Sequence, residues 1–282
     1  MKSFHEVRKY RTDVKIWHKD FRCINFIAHW HSEIELIYIV SGEAHIHAAG
    51  TSFKAHKGDL VICDSNDIHY YDGRKDDCLM DFLIFDPAEI TSHYRIKGFV
   101  YPYLRSADME KNGLDAEWKR TAEVIDRELT ECGPYFREIA RAAVSSFWYR
   151  LLRVMPVSPP QKNSIGEKNL GMRTSSQEIL SFLEDHYSEQ LTLEEASGHA
   201  GFSPSYFSKY FKRLTGTNFN QYLNLLRIAH ATDMILRTDD TYTNIAFACG
   251  FNNIRTFNRV FRKYTGASPS EYLTTPHNGL IG

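Results

Sequence analysis

From residue 14 to residue 86, apolar positions come in short runs, several alternating with polar ones at period two. β-rich segments stand at 23–28, 34–40, 44–48, 60–63 and 79–85, separated by Ser41-Gly42-Glu43, Ala49-Gly50-Thr51, Lys57-Gly58-Asp59 and Asp72-Gly73. Many short strands between turn signals predict an all-β sandwich or barrel. The period then changes. Trp118, Ala122, Ile125 and Leu129 recur at helical spacing, and after Gly133-Pro134 so do Phe136, Ala140, Ala143, Phe147 and Leu151. This predicts an antiparallel helix pair over residues 115–155, with Pro134 in the first turn of the second helix. Val144, Trp148 and Leu152 widen the apolar face of that second helix, so it must bury more than one side. One side is expected against the β-domain and the other against a second subunit, which makes a homodimer through residues 115–155. Purely intramolecular packing is the alternative.

Residues 156–174 combine prolines, glycines and polar residues without periodicity, the pattern of a linker. Beyond it the chain is helical. Ser175 with Glu178, and Thr192 with Glu195, stand at capping-box spacing. Ser203-Pro204 is an N-cap followed by proline at the first helical position. A longer helix is expected over 220–236, and Thr243 and Asn252 are read as caps of two more. The fold class is therefore mixed, with two domains: a β-domain with its helix pair over 1–155, a linker over 156–174, and an all-α domain over 175–276.

The all-α half says one thing twice. Phe211-Lys-Arg-Leu-Thr-Gly216 precedes Gln221-Tyr222-Leu223, and fifty residues later Phe261-Arg-Lys-Tyr-Thr-Gly266 precedes Glu271-Tyr272-Leu273. Each copy follows a Gly-Phe pair, Gly201-Phe202 and Gly250-Phe251. Such a repeat implies two similar structural units. A short helix, a tight turn at glycine and a capped helix is the layout of a helix-turn-helix, and Gly201 and Gly250 sit where the turn needs a permissive backbone. Helical spacing puts Phe207 and Phe211 inward with Ser205, Ser208 and Lys209 outward. In the second unit Phe257, Val260 and Phe261 face inward, and Ile254, Arg255, Asn258 and Arg259 outward.

The 282 residues are 43% hydrophobic and 24% charged, with a net charge of −1, an ordinary soluble composition. The chain shows no run apolar enough for a signal peptide or a membrane span, so a cytoplasmic protein with no membrane partner is expected. The five cysteines are scattered and form no C-x-x-C pair, which fits reduced thiols. Near-zero net charge would argue against a nucleic-acid partner, but its distribution does not. Residues 196–232 and 241–270 contain no acid, while Lys209, Lys212, Arg213 and Arg227 fall in the first stretch and Arg255, Arg259, Arg262 and Lys263 in the second. Two basic zones on a balanced domain are the footprint of phosphate contact; solvated helix faces are the plainer reading. Arg and Asn can make bidentate contacts to guanine and adenine edges. Lys212, Arg213, Arg262 and Lys263, one turn later, suit phosphates.

The stretch from Gly250 to Tyr272, with its counterpart reaching back to Ser175, resembles the signature of the AraC/XylS-type transcription regulators. The resemblance implies two helix-turn-helix units on a long helix, with recognition helices entering successive major grooves of double-stranded DNA. By position it implies Ser205, Ser208, Lys209, Ile254, Arg255, Asn258 and Arg259 as the base-facing set. An activator of this family would also meet RNA polymerase. Ala196 stands where a larger aliphatic is common and Ser197 where alanine is usual, so the first helix is expected to pack less tightly.

His29-Trp-His31, then Glu35, then Gly42 resembles the first motif of cupins, and His69 stands where the second motif places a histidine. Asp64, Asn66 and Gly73 depart from that second motif, and Cys23 replaces the leading glycine of the first. A cupin-like barrel is therefore expected ahead of the DNA-reading domain. Residues 29, 31 and 35 share parity, so on one strand they would face one side. Three readings stay open for His29, His31, Glu35 and His69: a divalent metal site, a pocket for a small polar effector, or histidines that satisfy one another in the core. The family resemblance favours the effector, commonly a sugar or derivative. No catalytic residue is assigned. The rival to a regulator is a metal-dependent cupin enzyme fused to a DNA-binding domain. His45 and His47 alternate with Ile46 and are expected to be exposed.

Overall fold

The computed structural model describes residues 10, 12–73, 77–90, 102–155 and 165–272, the last range without side chains before Ser176. The chain divides into two compact units, described in turn.

The strands form two antiparallel sheets. One has the order β1-β8-β3-β6-β9, from Ile16–Arg22, Leu79–Phe85, Ile34–Ser41, Leu60–Cys63 and Tyr103–Leu104; the other has the order β2-β7-β4-β5, from Asn25–His29, His69–Asp72, Glu43–Ala48 and Thr51–His56. The strand at β3 is buried from Ile34 to Ile39 because both of its faces are covered. Ile34, Leu36 and Tyr38, with Leu60, Ile62, Leu83 and Phe85, pack under helices α2 (Leu114–Glu131) and α3 (Phe136–Val154). The alternate positions, Glu35 among them, face the other way, into the sandwich. Interleaved rings join sheet and helices: Tyr38 stacks on Trp118 at 5.6 Å, Trp118 meets Phe147 edge-on at 5.4 Å, and Phe85 meets Trp148 at 5.6 Å. A polar pin crosses the same layer. Trp118 Nε1 donates to Asp81 Oδ2 at 2.7 Å, and His18 bridges Asp81 at 2.7 Å and Asp126 at 2.8 Å. Burial alone would lower the His18 pKa, but the hydrogen bonds and charges of Asp81 and Asp126 outweigh it and raise it to about 9.

The helix pair begins and ends where its period predicts, with one shift. Tyr135 adopts φ 65°, and α3 starts only at Phe136, so Pro134 precedes the helix instead of opening it. His47 is a second departure. It lies directly opposite Tyr70 in the β4–β7 register and stacks on that ring at 4.8 Å and 4°, so it is buried while His45 is exposed. Burial, with the charge of His69, lowers the His47 pKa to about 4.

The second unit holds α4 (Ile165–His186), α5 (Leu193–His199), α6 (Pro204–Thr215), α7 (Phe219–Arg237), α8 (Tyr242–Ala248), α9 (Ile254–Thr265) and α10 (Pro269–Tyr272). Helix α4 runs through residues 165–174, which composition assigns to a linker, and through Ser175, which is therefore not an N-cap. The rest of the linker lies outside the described residues, as does Leu273 of the repeat. The Thr192/Glu195 capping box is present at α5. Thr241 rather than Thr243 caps α8, and Asn253 rather than Asn252 caps α9. Ala196 and Ser197 are both buried, and Ser197 Oγ spends its proton on Glu194 O at 2.9 Å.

Candidate nucleic-acid interface and candidate metal centre

The two helix-turn-helix units are built from matching parts. Ser203 caps α6 by accepting from Tyr206 N, and Asn253 caps α9 by accepting from Thr256 N. Neither first turn holds an acid, so both N-termini keep their partial positive charge toward an anionic partner. Each helix ends on a left-handed glycine, Gly216 at φ 73° and Gly266 at φ 81°. Just before it, Thr215 Oγ1 donates to Phe211 O at 2.9 Å and Thr265 Oγ1 to Phe261 O at 2.8 Å. Inside, Phe207–Phe211 and Phe257–Phe261 both stand at 5.4 Å, and the second ring of each pair meets Tyr222 or Tyr272 edge-on at 5.2 or 5.4 Å.

The outer faces carry the sequence-predicted residues. Ser205, Ser208, Lys209, Lys212 and Arg213 are exposed on α6, and Arg255, Asn258, Arg259, Arg262 and Lys263 on α9. Two assignments change. Ile254 is half-buried and packs against the core of the second unit, because the first helical residue lies nearer the inner face than Arg255 does. Arg227, counted among the basic residues, is not a surface cation. Its Nε donates to Tyr187 O at 2.8 Å and its Nη2 to Glu189 O at 2.6 Å, and burial lowers its pKa. It ties α7 to the end of α4. One exposed residue escaped the sequence reading: Tyr206, half-exposed on α6. Its helical position relative to Phe207 is the signal that could have found it.

The turn glycines behave differently. Gly201 and Gly250 have φ 67° and 80°. A Cβ at Gly201 would meet nothing within 4 Å, whereas one at Gly250 would stand 2.7 Å from Ser188 O.

Among the β-strands and their connections, His29, His31, Glu35 and His69 converge. Their ligand atoms lie within 4.8 Å of one another, and all four residues are buried. Strand parity is not the cause. His29 ends β2 and His69 begins β7 in the four-stranded sheet, Glu35 lies on β3 of the other, and His31 sits in the connection. The site is made between facing sheets. The backbone fixes the imidazoles: His29 Nδ1 reaches Ile27 O at 2.9 Å, His31 Nδ1 reaches Glu33 O at 3.1 Å, and His69 Nδ1 reaches Asp67 O at 2.8 Å. A carbonyl only accepts, so each Nδ1 carries a proton and each Nε2 is left to meet the cluster. Glu35 Oε2 stands 3.1 Å from His31 Nε2 and 3.7 Å from His69 Nε2. Burial raises the Glu35 pKa, but hydrogen bonds from His31 and His69 reverse this and hold it well below the usual carboxylate range. Three imidazoles oriented through Nδ1 and one ionised carboxylate form a donor set that fits a divalent first-row transition metal.

Facing sheets with an inward histidine cluster, and two helix-turn-helix units in series, define the class: a cupin-type domain followed by a helix-turn-helix domain. Comparison with known proteins agrees. A cupin domain model matches residues 25–85 and a helix-turn-helix domain model residues 196–275. An HTH-type transcriptional regulator of Staphylococcus aureus strain COL is 25% identical over 235 residues, 83% of this chain and 30% of that protein. The chain thus spans less than a third of the length of that relative. The HTH-type regulator YijO of Escherichia coli K12 is 36% identical over 102 residues, 36% of each chain. The C-terminal domain of the response regulator yesN from Fusobacterium nucleatum is 30% identical, with a TM-score of 0.34, over 35% of this chain and 97% of that one. The chain is thus similar to HTH-type transcriptional regulators in its C-terminal domain and to cupins in its N-terminal one. Among the described residues, no helix is long and apolar enough to cross a membrane.

Proposed function

We propose that this protein regulates transcription by reading a specific double-stranded DNA sequence with α6 and α9. The observation that carries this reading is a repeated scaffold with unlike outer faces: matched caps and ring packing hold two helices whose exposed residues are Ser205, Ser208 and Lys209 in one and Arg255, Asn258 and Arg259 in the other. Lys212, Arg213, Arg262 and Lys263 neutralise phosphates and set register. Selection from a random duplex library, followed by footprinting, tests it. Two protected half-sites about 10 base pairs apart on one DNA face are expected. No enrichment, or a single protected half-site, contradicts it.

For the barrel, burial separates the readings left open. A sugar must touch its donors, whereas His29, Glu35 and His69 expose none of their surface. That supports an ion as the occupant of the four-residue cluster, with the metal rather than a carbohydrate as the sensed species. The same burial disfavours the fused cupin enzyme, whose substrate would need an open coordination position within reach. Elemental analysis of protein purified without a histidine tag decides: about one metal per chain, lost in Glu35→Gln, is expected. Sub-stoichiometric metal after loading with iron, zinc or manganese overturns this.

Dimerisation is assigned to the outer side of α3. Ile139 and Tyr149 on α3 are 40% and 46% exposed, and Tyr135 just before the helix is 77% exposed; Ile139, Ala142 and Tyr149, three and seven residues apart, share one helix face. Sedimentation analysis should show a dimer that Ile139→Glu dissociates; an unchanged dimer removes α3 as the interface.

A further inference from the structure

We propose that Tyr206 is the main base-contacting side chain of the first unit, and that its ring packs against the C5-methyl group of a thymine in the major groove. This rests on the DNA-binding reading above.

The α6 helix turns about 100° per residue. Phe207, Tyr210 and Phe211 are buried and fix its inner side. The opposite direction falls between Ser205 and Lys209, and Tyr206 and Ser208 flank it at similar angles. Tyr206 reaches much further than either serine. It is the third residue of the helix, after the Ser203 cap and Pro204, and the N-terminal end of a recognition helix is the part that meets base edges.

The ring is held, not loose. Phe202 meets it edge-on at 4.9 Å, and Tyr210 stacks beside it at 6.1 Å and 14°. Tyr210 is itself anchored by a 2.5 Å hydrogen bond between its hydroxyl and that of Ser176. One side of Tyr206 is therefore supported while half of its surface stays open. A side chain already ordered loses little entropy on binding. Its neighbours cannot do the same work: a serine hydroxyl accepts or donates to any base and discriminates weakly. The apolar feature a major groove offers to an aromatic face is the thymine methyl. Fifty residues on, the matching position is Thr256, half-buried, so the second unit has no equivalent ring.

The test uses the full chain and its selected duplex, with each thymine of the first half-site replaced in turn by deoxyuridine, which removes only the methyl group. At one position the wild type should bind about four-fold more weakly, the value of one buried methyl. Tyr206→Phe should keep that sensitivity. Tyr206→Ala should bind more weakly throughout, lose the sensitivity, and still protect the second half-site, which shows that it is folded. Methyl-insensitive wild-type binding overturns this proposal alone. So does a Tyr206→Ala protein that remains methyl-sensitive, or a Tyr206→Phe protein as impaired as Tyr206→Ala. A chain that enriches no DNA overturns the DNA-binding reading as well.

Discussion

The first and second helix-turn-helix units agree to a few tenths of an ångström where they hold themselves together and disagree where they face outward. Thr215 and Thr265 tie off their helices with the same pair of hydrogen bonds, to Phe211 O and Thr217 O in one and to Phe261 O and Ala267 O in the other. The Phe-Phe-Tyr ring sets match in spacing, although the Phe-Phe pair is stacked at 27° in one unit and tilted at 57° in the other. Yet one helix presents short hydroxyls and an aromatic ring, and the other two guanidiniums and an amide. Scaffold and readout are separable properties of one sequence. The matching half of the repeat fixes where a helix sits, and in the proposed reading the divergent half decides what it contacts.

The largest expected effect breaks the likeness of the scaffolds. Gly250→Ala forces a Cβ onto the Ser188 backbone at a left-handed φ, and should destabilise its unit by about 3 kcal/mol, combining the left-handed penalty with overpacking. Gly201→Ala meets open space and should cost about 1 kcal/mol. Urea denaturation of the two variants should separate them; equal losses would mean the second turn is no tighter than the first.

Next come the readers. Arg255→Ala or Arg259→Ala should lose about 1–3 kcal/mol on selected DNA and relax preference at one base pair. Equal losses on selected and scrambled duplex would reassign the residue to phosphate contact. Phosphate residues form the third tier. Lys212→Ala and Arg262→Ala should each weaken all sequences alike and reduce the slope of log affinity against log salt by about one. An unchanged slope would remove that residue from the interface. Smallest is Ser208→Ala, expected to change affinity by less than about 0.5 kcal/mol; a larger loss would give the first unit a polar reader that the geometry does not favour.

Much of this was legible in the residues, and the exceptions share a cause. The Thr192/Glu195 box and the Ser203-Pro204 start are local signals, satisfied within four residues of chain. The caps of α8 and α9 were displaced because each has two competent neighbours, Thr241 and Thr243, Asn252 and Asn253. Burial of Ile245 and Phe257, a tertiary matter, chooses between them. The histidine cluster was visible by residue type, but its geometry was not, since it joins two sheets rather than one face of one strand. His47 was misread for the same reason: the Tyr70 that covers it arrives from a strand more than twenty residues away. The helical run through 165–174 carries no periodic signal strong enough to outweigh its composition.

The most direct test exchanges the outward residues while leaving the scaffold alone. Ser205→Arg, Tyr206→Thr, Ser208→Asn and Lys209→Arg together give α6 the exposed residues of α9, since the two helices match at an offset of fifty. Selection on random duplex should then return the second unit's base preference in both half-sites. A first half-site that keeps its original preference, with the protein folded and bound, would contradict the separation of scaffold from readout.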